Sequence, residues 1–203
     1  MRSLTIEHIE KFIDFQEDSF QSPNLVETGT YEGKTVFNLY EYFQKIYTIE
    51  LNQRAHDFCI NKSRDLGVEN IRFYNGQSQD ILPEIIDELN ENLENCIFFL
   101  DAHVTENGSN LTSRGDIDVP ICLELKVISD NFKNKCMIII DDTRILGKES
   151  SRETAYADWS SITHDNIIKS LGDRKFTWSY FDGDKDPNDR MVIMLDSSKF
   201  IWN

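Results

Sequence analysis

The chain is short of positive charge: 21 Lys and Arg stand against 36 Asp and Glu in 203 residues, a formal charge of −15. Long-range repulsion slows and weakens encounters with nucleic-acid backbones and anionic membranes, so neither is an expected partner. Stretches that gather Lys and Arg contain acids as well, and no basic patch offsets the average. Small molecules and neutral glycans suit this chain better. Cysteine pairing is absent too. Cys59, Cys96, Cys122 and Cys136 form no C-x-x-C pair, have no His at zinc-site spacing, and sit among apolar neighbours. They read as free core thiols in a reducing, cytoplasmic setting. Residues 1–20 alternate charges with hydrophobes, so no N-terminal apolar run is long enough for a signal peptide or a membrane span. Internal repeats, low-complexity tracts and an interdomain linker are missing, and 39% hydrophobic content can fill one core. Residues 1–203 are therefore read as a single domain, with residues 1–22 as an N-terminal helical segment packed on it.

What is present is alternation. Ile6, Ile9, Phe12, Ile13 and Phe15 recur at helical spacing and predict an amphipathic helix over residues 6–20. Asn24-Leu25-Val26-Glu27-Thr28-Gly29 reads as a buried strand entering a glycine turn, and residues 34–44 resume a helical pattern. Strand and helix then trade places: strands at 45–50, 71–74, 96–100 and 137–140, and helices at 53–66 (stopped by Gly67), 80–89, 119–132 (opened by Pro120) and ending at 166–171. Such regularity predicts an α/β, Rossmann-like doubly wound sheet, mostly parallel, with helices on both faces. The final runs, 176–181 and 191–195, flank a polar loop and predict a C-terminal antiparallel hairpin. Residues 104–118 form the longest irregular stretch and are a candidate lid or substrate loop.

Five constellations fall where strands give way to loops. Glu27-Thr28-Gly29-Thr30-Tyr31-Glu32-Gly33-Lys34-Thr35 is a glycine turn into a helix, where a polar ligand can approach the main chain. It lacks the third glycine of G-x-G-x-x-G, which serves a dinucleotide pyrophosphate less well, and taken alone it is equally a plain connection. Glu50 ends the second strand about twenty residues later, the place for an acid that accepts from ribose hydroxyls; its bland reading is a strand-end acid facing water. Gly76-Gln77-Ser78-Gln79-Asp80 can reach an adenine from the side or cap a helix through Ser78 or Asp80. Phe98-Phe99-Leu100-Asp101-Ala102-His103 ends an apolar strand in an acid whose desolvation asks for a partner, and in a histidine able to accept a proton. Ile138-Ile139-Ile140-Asp141-Asp142-Thr143-Arg144 ends the next strand the same way. If Asp101, Asp141 and Asp142 converge, Mg²⁺ or Mn²⁺, Arg144 or a cationic cofactor must neutralise them. Residues 148–152 and the acidic loop 182–189 read as solvated turns, and Tyr156 with Trp159 as helix core.

Taken in order, these segments resemble the class I S-adenosylmethionine (SAM)-dependent methyltransferases over nearly the whole chain. Val26 to Thr35 is similar to the family's first motif, Tyr47-Thr48-Ile49-Glu50 to its ribose-binding acid, and Gly76-Gln77-Ser78 with Ile81-Leu82-Pro83 to its adenine-flanking segment. Phe99 to His103, Pro120 to Leu125 and Ile140 to Arg144 resemble a subgroup of sugar and macrolide-sugar O-methyltransferases that hold Mg²⁺ on strand-end aspartates. This chain departs from that subgroup after the histidine, where Val104-Thr105-Glu106-Asn107-Gly108-Ser109-Asn110 replaces a glycine-rich stretch. The resemblance implies cofactor contacts from Glu27, Thr28, Gly29, Thr30, Gly33, Thr35, Glu50, Leu51, Gly76, Gln77, Ser78 and Asp101. It implies Asp101, Asp141 and Asp142 as ligands of Mg or Mn, and His103 with Asp101 as catalytic groups. The expected reaction is methyl transfer from SAM to a hydroxyl of a sugar or glycan, with homodimerisation left open. The rival expectations are an NAD-dependent oxidoreductase, in which Glu50 reads the cofactor ribose, and a non-catalytic ligand-binding module of the same fold.

Overall fold

A computed structural model describes residues 3–13, 23–92, 95–104, 109–183 and 186–196. Seven strands form one sheet, β1 (Asn24–Thr28), β2 (Ile46–Glu50), β3 (Ile71–Asn75), β4 (Cys96–Leu100), β5 (Cys136–Ile140), β6 (Phe176–Phe181) and β7 (Arg190–Leu195), in the order β3-β2-β1-β4-β5-β7-β6. β7 alone runs opposite to the rest of the sheet, antiparallel to both β5 and β6. The chain reverses direction across the sheet at β1 and β4, and in such sheets ligands lodge beyond the carboxyl ends at that point.

Strand side chains alternate between two cores. Val26, Phe98, Leu100, Ile138 and Ile140 face α4 (Ser78–Glu91), α5 (Ile121–Asn131) and α6 (His164–Ser170). Leu25, Ile97, Phe99, Met137 and Ile139 face α1 (Ile6–Glu10) and α2 (Lys34–Leu39). α3 (Gln53–Leu66) packs on β2 and β3 at the sheet's edge. Its ends are set locally: the Asn52 side chain accepts from the Arg54 and Ala55 N–H groups, and Gly67 closes the helix with φ 67°. No helix among the described residues is long and apolar enough to cross a membrane.

Four expectations are corrected. The first helix spans Ile6–Glu10; Ile6, Ile9, Phe12 and Ile13 are buried as expected, while residues 14–20 lie outside the described residues. The helix expected over 34–44 stops at Leu39 and tightens into a 3₁₀ turn, Tyr40–Tyr42. Asn70 Nδ2 donates to the Tyr40 and Phe43 carbonyls there and pulls the chain toward β2. Trp159 is wholly buried but lies in irregular chain after a turn at 152–156, and Tyr156 is exposed; Ala155 and Tyr156 take φ 48° and 65°, which a right-handed helix cannot include. Lastly, the hairpin loop is not all solvated: Asp189 is completely buried, as is Arg190, which follows it at the start of β7.

Candidate active site

A cavity of about 480 Å³ opens at the carboxyl edge of β1, β2, β3, β4 and β5. Gly29 forms its floor with φ 87°, and a Cβ there would stand 2.5 Å from the Asp101 carbonyl oxygen. Glycine therefore lets the loops after β1 and β4 meet. Tyr31, Glu32 and Lys34 line the cavity with Gly29, whereas Glu27, Thr28, Thr30, Gly33 and Thr35, expected from sequence to touch the cofactor, are not part of its lining. Thr28 Oγ1 accepts from the Asp101 N–H at 3.3 Å. Thr30 Oγ1 lies 2.5 Å from Thr48 Oγ1, which donates to Glu27 Oε2 at 2.8 Å. Thr35 Oγ1 accepts from the Leu4 N–H, and Gly33, with φ 71°, leaves room for the Phe37 ring. These residues form the buried frame behind the turn. Burial pushes the Glu27 carboxyl up to about 8 against the pull of the Thr48 and Thr35 hydroxyls, so Glu27 holds a proton at neutral pH.

At the β2–β3 end, Glu50 Oε2 accepts from the Tyr31 N–H and Oε1 from the Asn52 N–H, both at 2.7 Å. Burial raises its pKa and the backbone donors oppose that. Each oxygen keeps a further lone pair, and Glu50, Leu51, Gly76, Gln77 and Ser78 all line the cavity. The α4 cap position is Gln77, not Ser78 or Asp80, and Gln77 does not cap with its side chain. Its amide instead accepts from the Asp116 N–H and donates to Asp116 Oδ2, each at 2.9 Å.

At the β4–β5 end the acids converge, although not as the set of three expected from sequence. Asp141 is 4% exposed and its Oδ1 accepts from Arg190 Nε at 2.8 Å. Burial still pushes its carboxyl up to about 6. The ligand atoms of Asp101, His103 and Asp142 come within 4.8 Å of one another. His103 Nε2 lies 3.2 Å from Asp142 Oδ2, and His103 Nδ1 lies 3.5 Å from Asp101 Oδ1. Asp101 is held well above the usual carboxylate range by burial first, then by Asp141 and Asp142. Burial lowers His103 despite Asp142, so the imidazole is neutral at physiological pH. Asp142 sits at φ 59°, a left-handed conformation that stores strain beside the cavity.

Sequence reading named Arg144 as a neutralising charge for this cluster but missed its second partner, and it missed two further supports, Trp159 and Arg190. Arg144 bonds Asp142 and also donates from Nη1 to Asp189 Oδ1 at 2.6 Å, so the hairpin loop reaches back to hold it. The Trp159 ring packs edge-on against His103 with centroids 5.2 Å apart. Arg190 reaches Asp141, His8 Nδ1 and the Ser3 carbonyl together. The one hint was a charged residue directly ahead of the apolar run at 191–195; the partners are distant in sequence and invisible to local patterns.

No protein-family model and no curated protein matches this sequence. Solved structures do match its fold. A SAM-dependent methyltransferase from Aquifex aeolicus shares 14% identity over 93% of this chain and 87% of its own, with a TM-score of 0.53. A Streptococcus mutans protein in complex with S-adenosylhomocysteine (SAH) shares 13% over 93% and 94%, TM-score 0.53. The geranyl diphosphate C-methyltransferase of Streptomyces coelicolor, in complex with Mg²⁺, geranyl diphosphate and SAH, shares 10% over 86% and 72%, TM-score 0.53. The architecture is thus the seven-stranded, Rossmann-like fold of the class I SAM-dependent methyltransferases.

Proposed function

We propose that the chain is a SAM-dependent O-methyltransferase acting on a hydroxyl of a sugar or similar polyhydroxy small molecule. One observation carries the reading: a single cavity runs from Glu50 and Gln77 at one end, past Gly29, to Asp101, His103 and Asp142 at the other. The first end fits the cofactor. Glu50 can accept from both ribose hydroxyls, Gly29 leaves the main chain open, and Ser78 stands beside the place of the adenine. The second end is acidic, and its nearest guanidinium, Arg144, is occupied by Asp142 and Asp189, which disfavours a phosphate or carboxylate acceptor.

SAM, when bound, supplies a methyl carbon whose bond to sulfur breaks as the acceptor oxygen bonds to it. The chain's contribution is placement and proton removal. Holding donor and acceptor in attack geometry can remove roughly 7–11 kcal/mol of barrier in well-oriented systems. Neutral His103 takes the hydroxyl proton at Nδ1, on the side of Asp101, while Asp142 beside Nε2 stabilises the resulting imidazolium. In an alternative arrangement Asp101, His103 and Asp142 would hold a divalent ion, which would lower the hydroxyl pKa while His103 gives its lone pair to the ion and no longer takes the proton; an imidazole beside two carboxylates suits Mn²⁺ or another first-row ion better than Mg²⁺. Asp141 is committed to Arg190 and stands outside that set.

Incubation with methyl-labelled SAM and a panel of glycosides and nucleotide sugars, with chelator and with added Mn²⁺ or Mg²⁺, tests the reading. Label should pass to a hydroxyl, and His103→Ala should cut turnover about 100-fold while SAH affinity holds. Transfer only to amines would reject the O-methyltransferase assignment, full turnover in chelator would reject the metal, and binding of NAD in place of SAH would favour the oxidoreductase.

A further inference from the structure

The loop at 109–118 walls the cavity through Leu111, Thr112, Ser113 and Gly115, yet none of it is helix or strand. What fastens it is a side chain outside the loop. Asn52 Nδ2 donates to the Asn110 carbonyl at 3.4 Å, the Thr112 carbonyl at 3.1 Å and Ser113 Oγ at 2.9 Å. Its Oδ1 meanwhile caps α3, and its N–H holds the Glu50 carboxylate. Asn52 is 8% exposed, so these bonds are shielded from water. A second fastening, Gln77 on Asp116, lies further along the loop. A third lies over the acceptor end, where Arg114 bonds Asp118 and the Tyr156 carbonyl, and Asp118 Oδ2 accepts from the Asp158 N–H.

We propose that Asn52 is a positioning residue that pins the 109–118 loop over the cofactor end of the cavity and so sets how fast SAM and SAH leave. The proposal rests on the SAM-binding reading of that end. Its logic is one of shared placement: the residue that orients the ribose-facing Glu50 also holds the segment a departing ligand must displace. A loop without backbone ladders opens at low cost, and side-chain bonds are then the main resistance to opening. Cofactor release is the step to which Asn52 couples, since its contacts lie on the β2 side, away from Asp101 and His103.

Asn52→Ser separates the roles. Serine caps a helix about as well as asparagine and keeps the backbone N–H for Glu50, but it is too short to bridge to the loop. The unliganded variant should unfold only about 2–4 °C lower, as the loss of one or two net hydrogen bonds requires, with α3 amides equally protected and amides 110–113 exchanging faster. SAH should dissociate about tenfold faster, as expected for losing one or two net hydrogen bonds. Ser113→Ala, on the exposed side of the same contact, should show a smaller change in the same direction and serves if Asn52→Ser fails to fold. Unchanged exchange at 110–113 would overturn the pinning. Faster exchange with an unchanged SAH off-rate would overturn control of release. If wild type binds no SAH, the cofactor reading falls and takes the release claim with it, while exchange still reports whether Asn52 holds the loop.

Discussion

Glu124 sits on α5 with no exposed surface, and neither of its oxygens meets a hydrogen-bond donor at bonding distance. The hydroxyls of Ser78 and Thr28 act on it weakly, and burial pushes its carboxyl up to about 7. A carboxyl raised on folding stabilises the native state below its unfolded pKa, near the ordinary 4.5, and that contribution is lost as pH climbs through the folded value. Between about pH 4.5 and 7 the wild type should therefore lose stability to this one residue, on the order of 3 kcal/mol by pH 8. Glu124→Gln should melt higher than wild type at pH 8 and close to it at pH 5. Equal melting temperatures at both pH values, read by scanning calorimetry, would show that Glu124 ionises freely. Nothing in Pro120 to Leu125 announces this burial; helical spacing places Glu124 one turn beyond Pro120 on the inner face, but an acid there reads as solvated until the packing is seen.

Among the elements, the turn after β1 carries the greatest constraint. Gly29→Ala would push a Cβ against the backbone of Asp101 at a φ that alanine resists, and neither side is a flexible side chain. The variant should lose about 2 kcal/mol or more in urea unfolding and bind SAH far more weakly; wild-type stability would mean that the β1 and β4 loops separate easily. This turn was legible in sequence because glycine marks it, and so were the bounds of α3, β4 and β6. In α3, Asn52 and Gly67 are local stop signals, while β4 is an apolar run of strand length. Legibility failed where a distant partner decides. Asn70 ends the helical turn of 40–42, paired left-handed residues break the segment around Trp159, and Arg190 draws Asp141 out of the expected set of metal ligands. Strand ends could thus be named from sequence, but which side chains at those ends face the cavity depended on pairings across the sheet. Glu50 and Gly29 face it, whereas Glu27, Thr30 and Thr35 lie behind.

At the scale of the molecule, Arg190 links beginning and end. From the start of β7 it reaches Asp141 beside the cavity, His8 on α1 and the Ser3 carbonyl. Removing one partner of a wholly buried ion pair strands the other, typically at about 3–5 kcal/mol. Arg190→Leu should lower urea stability by that order at pH 8 and by less at pH 5, where Asp141, held near 6, takes up a proton. An undiminished unfolding midpoint would mean that the N-terminal segment is not tied through this network. The two cores, the reversal between β1 and β4 and the acid-lined cavity then combine into one expectation: a nucleoside amino acid bound across the carboxyl edge, its ribose on Glu50. Calorimetric titration of SAH into wild type and Glu50→Ala tests that most directly. One SAH per chain, with affinity at least about tenfold weaker in the variant, is the predicted result; no SAH binding, or equal affinity in both proteins, would contradict the account.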